Sequence, residues 1–384
     1  MLEKLGKKAL GAPFIIAIVL CCVIGLAITP LIRAEPNEVP FVVVNEDEGA
    51  ITIMGESNVG QTMVDAMLSG EGSLLGDDTS ESDSSASALG DATITWTQLS
   101  SEEEALEALK GTTYYGALII PQNFTSQQMN ALVGLGSAPE IKVYLNEGKN
   151  AQMASTMQTM ITAGMTESGV SVDAQLVNTA EVGGGMMAPM MMVQMIVMPF
   201  MMLCLVSSII LSLLIWRLDI LKLRESSDAK ALGVQLLIAL VFSAFIACLA
   251  LLIETVGGGM TLPFGEIFLY LWVAGFCVMC FLMGFCDLCF PVGAVLALCV
   301  FAFGMGTAML GQEMLPAFWA DLIYPWAPQA CMGNGIRAII YFHTNPYTTT
   351  LVPVFIEGVL GLIAFILALV IPARRKRNDG ATQE

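Results

Sequence analysis

The sequence is short of charge. Asp, Glu, Lys and Arg make up 13% of its 384 residues, against about 25% in an average soluble domain. With 55% hydrophobic residues, that shortage excludes an ordinary soluble enzyme and points to a polytopic membrane protein. No G-x-x-x-x-G-K-[ST] run is present, so the usual phosphate cradle is missing. The single histidine, His343, has no visible partner. Residues 34–188 contain neither Cys nor His and no nucleophile motif, which removes a disulfide framework and recognisable catalytic chemistry from that segment. The same segment is almost without positive charge: it holds 22 acidic and 3 basic residues, leaving 12 acidic and 13 basic elsewhere. The net charge of −18 therefore sits in one water-soluble segment, and an acidic balance of this kind excludes nucleic acid as a partner.

What is present is long apolar runs. Six are long enough, at roughly 20 residues, to cross a bilayer as helices. They are Phe14–Ile32, Pro189–Trp216, Ala231–Ile253, Ile267–Cys286, Val292–Leu310 and Leu351–Ile371. Eleven basic residues fall on one side of a six-span layout: Lys4, Lys7 and Lys8, then Arg217, Lys222, Arg224 and Lys230, then Arg374, Arg375, Lys376 and Arg377. The positive-inside rule puts both termini in the cytoplasm and the acidic segment outside. Leu2–Leu10 alternates Lys with apolar residues, so residues 1–12 read as an interfacial helix leading into a first span at 13–33. A cleaved signal peptide is the weaker reading, since Arg33 stands where small residues are wanted.

Residues 34–188 alternate strand and helix patterns, which predicts an α/β domain with a mixed or parallel sheet. Strands are expected at Phe41–Asn45, Thr93–Leu99, Tyr114–Ile120 and Glu140–Leu145, with helices at Val59–Leu68, Glu102–Lys110 and Asn123–Val133. Ser101 and Glu104 form a capping box. Residues 70–91, rich in Ser, Gly and Asp, read as a mobile loop, and 150–180 as a polar helix descending to the second span. The predicted fold class is a polytopic α-helical membrane protein of six transmembrane helices. A large extracellular acidic α/β domain (34–188) lies between helices 1 and 2, and 189–384 carries helices 2–6.

Four blocks resemble a known family. Pro40–Ala50 (PFVVVNEDEGA) is similar to a strand followed by Asn-x-Asp-x-Gly. Tyr114–Phe124 (YYGALIIPQNF), Ile141–Asn150 (IKVYLNEGKN) and Glu313–Tyr341 (EMLPAFWADLIYPWAPQACMGNGIRAIIY) follow in the expected order. On this topology they resemble the type-2 ABC-exporter permeases, and within them the phage-infection-protein-like (YhgE/Pip) branch. The resemblance covers essentially the whole chain and implies a bacterial cell-membrane permease working as a dimer, with a second copy or a paralogue. It also implies separate cytoplasmic ABC ATPase subunits that bind the ATP and Mg, this chain holding no cofactor itself. The expected activity is outward movement of an amphipathic or lipid-like substrate by alternating access. The alternative is a non-transporting scaffold or receptor whose outer domain binds a secretion-system or other partner.

The resemblance also directs attention to two groups of residues. The inner loop Trp216–Lys230 is the candidate ATPase-coupling element, as a short amphipathic helix carrying Arg217, Leu218, Leu221, Lys222, Arg224 and Glu225. The Pro-broken outer region 311–350 implies re-entrant helices closing an exit. Arg337 there needs a counter-charge, from Glu313, Asp321 or Glu357. These four form the candidate outer gate.

Three patterns look chemical without carrying chemistry. Cys277, Cys280, Cys286 and Cys289 have zinc-like spacing but run along a membrane helix and its turn, where a tetrahedral site needs a broken helix. Nine Met between Met186 and Met202 read as an adaptable apolar surface rather than a copper path. Gly183–Gly185 reads as a hinge, and Gly257–Gly259 as an outer turn.

Overall fold

The computed structural model describes residues 22, 25, 28–30, 32–33, 37–52, 55–69, 93–167, 171–185 and 188–370. The interfacial helix, most of the first expected span, the 70–91 loop and the carboxy-terminal basic run lie outside the described residues.

The α/β domain, called the outer domain after its expected side of the membrane, follows the alternation in the sequence. Its elements are β1 (Val39–Asn45), β2 (Ala50–Thr52), β3 (Gly55–Ser57), α1 (Val59–Ser69), β4 (Ile94–Leu99), α2 (Glu102–Ala108), β5 (Gly116–Ile120), α3 (Phe124–Leu132), β6 (Glu140–Asn146), α4 (Ala151–Glu167) and β7 (Ser171–Val177). Five strands form one sheet in the order β4-β1-β5-β6-β7, parallel except for the antiparallel β5–β6 pair. β1 as far as Val44, and β5 throughout, are apolar because they have strands on both sides and helices on both faces. Phe41 and Val43 pack with Val64 of α1 and Met153 and Met157 of α4. Val42 and Val44 point the other way, onto Ala105 of α2 and Leu109.

One expectation is corrected. Residues 150–180 are not a continuous helix: β7 pairs in parallel with β6, from Glu140–Ser171 to Asn146–Val177. Val172, Ala174 and Leu176 alternate with Ser171, Asp173 and Gln175, the period of a strand. The capping box is shifted too. Ser101 Oγ accepts the Glu104 amide at 3.2 Å, but the Glu104 carboxylate takes the Ser100 amide, at 3.0 Å, one residue earlier than the motif prescribes.

The Asn-x-Asp-x-Gly block is a structural clamp. Asp47, 7% exposed, accepts the amides of Gly49 (3.2 Å), Gly60 (3.2 Å) and Thr125 (3.1 Å) together with the Thr125 hydroxyl. It ties the end of β1 to the starts of α1 and α3. Gly60 has to be glycine, since a Cβ would stand 2.8 Å from that of Asp47.

Among the described residues, five helical stretches are long and apolar enough to cross a membrane. They begin with α5 (Ala188–Leu211), extended by a π-helical turn to Arg217. After the short α6 (Leu223–Ser226) comes α7 (Asp228–Leu252), extended likewise to Gly257. Then follow α8 (Phe264–Leu288), α9 (Phe290–Met309) and, beyond α10 (Pro328–Ile340), the last span α11 (Val352–Val370). The sixth expected span is the first, of which only residues 22, 25, 28–30 and 32, all helical, are described. α8 is the central pillar, with 67% of its most apolar window buried. Its backbone meets α11 directly: a Cβ on Gly284 would lie 2.2 Å from the Gly361 carbonyl oxygen. Small residues permit such close approach where apolar side chains gain nothing by leaving lipid.

Candidate functional site

The loop between α5 and α7 is held by one arginine. Arg224 lies 4.2 Å over the Trp216 ring and donates to the Trp216 carbonyl (2.6 Å) and to Asp228 (2.9 Å). Asp219 breaks the expected amphipathic helix: its carboxylate takes the Arg224 amide at 3.1 Å, and the backbone turns through positive φ at Asp219 and Lys222. Only α6 remains helical, which corrects that expectation. Arg217 sits 5.9 Å over Phe290 at the α8–α9 turn. The side chain of Glu225 lies outside the described residues. Leu218, Ile220 and Leu221 face outward with 60%, 60% and 55% of their surface exposed, although Ile215 and Trp216 beside them are buried. The loop is thus a braced turn presenting three aliphatic side chains.

Beneath this loop, Asp287 is 4% exposed and accepts the Ser212 hydroxyl at 2.5 Å. Gln235 is fully buried nearby. Ser212, Gln235 and Asp287 come from the π turn after α5, from α7 and from α8. None of the three was singled out in the sequence as a site residue. Two polar residues inside separate apolar runs and a carboxylate at the edge of a third were the available signal.

On the other face, the outer domain meets the helices around a cavity of about 430 Å³. Glu313, in a one-turn 3₁₀ helix after α9, receives Lys149 at 2.7 Å and the Tyr115 hydroxyl at 2.9 Å. The Lys149 ammonium also lies 4.6 Å from the Tyr115 ring centroid, and the Asn37 amide donates to the Glu313 carbonyl at 2.9 Å. Burial pushes the Glu313 carboxyl up, but the Lys149 charge and the bonds from Lys149 and Tyr115 outweigh it and hold it below the usual carboxylate range. Burial first, and the Glu313 charge second, push the Tyr115 phenol well above its ordinary value.

Of the four gate candidates, Glu313 and Arg337 line this one cavity. Asp321 is exposed on a π turn (Phe318–Ile323), and Glu357 lines a separate apolar groove with Trp326 and Phe303. None of the three carboxylates pairs with Arg337. Its guanidinium, on a residue 8% exposed, donates to Asn334 Oδ1 (3.0 Å) and to the Ala308 carbonyl (3.4 Å). Lys149 takes Glu313 instead. Lys149 and Tyr115 were missed in the sequence, where the scarcity of cations in the acidic segment was the one hint.

A family model described as ABC-2 family transporter protein matches residues 10–370. The chain belongs to the ABC-2 family transporter proteins. No curated protein and no solved structure matches it. As an ABC-2 transporter the chain is a multi-pass membrane component whose work is transport rather than catalysis. Among its described residues no three His, Cys, Asp or Glu cluster as metal ligands.

Proposed function

We propose that this ABC-2 permease is the membrane subunit of an ATP-driven exporter of the phage-infection-protein-like (YhgE/Pip) branch. It pairs with a second permease and with cytoplasmic ABC ATPases that bind the ATP and Mg, and carries an amphipathic or lipid-like substrate outward by alternating access. In this reading both termini and the braced loop are cytoplasmic, in a bacterial cell membrane, and the α/β domain is extracellular.

The observation that carries the reading is the braced loop. Exposed aliphatic side chains on a turn between two spans have no partner among the described residues, and they suit the apolar groove of a rigid docking protein. Arg224 makes the turn stiff enough to transmit a push. The half-exposed methionines of α5, Met195 and Met202, flanked on either side by buried Met192 and Met201, suit a surface that moves against lipid or cargo.

The test is a pull-down from cells expressing the native gene cluster, read for a co-purifying ABC ATPase and comparing the native chain with Leu218→Asp/Leu221→Asp. The charged variant is expected to lose the ATPase while keeping its own melting temperature. Full retention of the ATPase by that variant refutes the docking assignment. An assembly that purifies from the native operon without any ATPase refutes the exporter reading.

A further inference from the structure

We propose that the cavity between the outer domain and the outer helix ends is a binding site for an oxyanion headgroup, a phosphate or carboxylate, with Arg337 as its principal contact. The proposal rests on the exporter reading for the source of that group and deepens it by fixing the charge of the cargo.

The electrostatics of the cavity run against those of the domain above it. Residues 34–188 contain only Lys110, Lys142 and Lys149 as cations, and two of these, Lys110 and Lys149, line the cavity. Arg337 is a third, contributed from α10. One carboxylate, Glu313, shares the lining, and it is engaged by Lys149 and Tyr115. Lys110 is paired with Glu107 at the surface. Arg337 has no carboxylate partner among the described residues. Two of its five N–H groups meet neutral acceptors, which leaves a full positive charge in a nearly buried position. Buried charges in proteins are ordinarily paired, so a guanidinium with no carboxylate partner among the described residues, bordering an open cavity, is suited to receive an oxyanion.

The other lining groups complete such a site. Asn334 and Tyr324 hydrogen-bond each other beside the guanidinium at 3.1–3.2 Å, and Asn334 fixes Arg337 through its carbonyl oxygen. Thr349 adds a hydroxyl on the wall, while that of Thr350 is engaged by Pro346 and Tyr270. At about 430 Å³ the cavity holds a headgroup rather than a whole lipid, and Phe342 offers an apolar surface for the first part of a tail.

The test uses the full chain purified in a neutral detergent, with calorimetric titration of dihexanoyl phosphatidic acid, dihexanoyl phosphatidylcholine and inorganic phosphate. The anionic lipid is expected to bind, and Arg337→Gln to weaken it at least tenfold. Because Arg337 is buried, a second variant guards against misfolding: Thr349→Glu places a carboxylate on an exposed lining position and is expected to weaken binding at least fivefold with an unchanged melt. Competition by inorganic phosphate at equal concentration assigns the site to a soluble oxyanion. Lack of competition assigns it to a lipid headgroup. The proposal is overturned if neither anion binds, if the zwitterionic lipid binds as well as the anionic one, or if Thr349→Glu leaves binding unchanged. Each of these results leaves the ATPase-docking test untouched, so the two readings fail separately.

Discussion

Replacing Glu313 by Gln tests whether the outer domain is locked to the membrane helices by a single carboxylate. The substitution keeps the shape and one acceptor oxygen but removes the charge that holds Lys149. The two side chains are 12% (Lys149) and 25% (Glu313) exposed, between the fully exposed pairs worth under 1 kcal/mol and the buried pairs whose rupture costs 3–5. An intermediate value of about 2 kcal/mol follows, because the stranded ammonium retains the Thr113 carbonyl at 3.2 Å and the Tyr115 ring. If this lock controls local opening, about 2 kcal/mol corresponds to roughly thirtyfold faster hydrogen exchange at the junction. The Asn37 amide, bonded to the Glu313 carbonyl, is the probe. The sign of the pH dependence is fixed as well. The Glu313 carboxyl is depressed in the folded protein, so its contribution is complete above its ordinary value of 4.5 and disappears as pH falls through the lower folded value. Junction protection is expected to weaken in acid in the native chain and to be flat with pH in Glu313→Gln. A double-mutant cycle with Lys149→Met completes the test. Additivity within about 0.5 kcal/mol, or unchanged exchange at Asn37, refutes the lock.

Four further outcomes are expected. Asp47→Ala strands four donors in a buried position and should destabilise the outer domain by about 3 kcal/mol or more, read as a lost or lowered domain transition in thermal unfolding. Gly284→Val should lower the melting temperature in detergent by an amount corresponding to about 1–3 kcal/mol, since its side chain meets the Gly361 carbonyl. Arg224→Ala should expose the Trp216 ring and shift its fluorescence to the red, and should weaken ATPase co-purification with little change in the melt. In the outer domain, the hydrogen bond from Tyr144 chiefly holds the Glu102 carboxyl below its ordinary 4.5, so its stabilisation is present above that pH and lost below it. Tyr144→Phe should therefore reduce the loss of stability between neutral pH and about pH 3.5, measured by melts of the full chain.

The sequence was most informative where burial is continuous. Val39–Asn45 and Gly116–Ile120 are central strands covered on both faces, and their apolar runs admit few other readings. The five described spans are legible for the same reason, their length being set by the bilayer. β7 was not legible, because an edge strand with one covered face carries only a faint alternation and follows a helix of similar polarity. The braced loop was misread as a helix because its Leu spacing satisfies the helical period, whereas a single Asp219 contact redirects the chain. The partners of Arg337 were chosen by proximity in sequence to membrane carboxylates. The cation that claims Glu313 stands 164 residues away, in a domain whose docking no local pattern encodes.

That docking bears on how the outer domain can take part in transport. The Gly183–Gly185 segment has the composition of a hinge, yet it is clamped to the α7–α8 turn. Gly183 bridges Met260, the Thr261 amide donates to Val182 at 2.6 Å, and the positive φ values at Gly183 and Gly184 fit this one path. A Cβ at Gly183 would approach the Gly259 carbonyl to 3.0 Å, so the contact depends on glycine there. A second tether is the Glu313 lock after α9. A third is Gly148, pressed against Phe342 and Tyr341 at the end of α10, where a Cβ would come within 2.7–2.9 Å. Three tethers to three separate helix ends do not permit free swinging about one glycine segment. The domain can follow the helices only if they move together, or else one tether has to break when they separate. The Glu313 lock is the only one of the three built on charge, which makes it the contact most sensitive to an anion entering the cavity it borders. Thr261→Ala, which removes the hydroxyl bond from Thr261 to the Glu181 carbonyl in the glycine tether, should therefore leave any anion-dependent change at the Asn37 amide intact, whereas Glu313→Gln should abolish it.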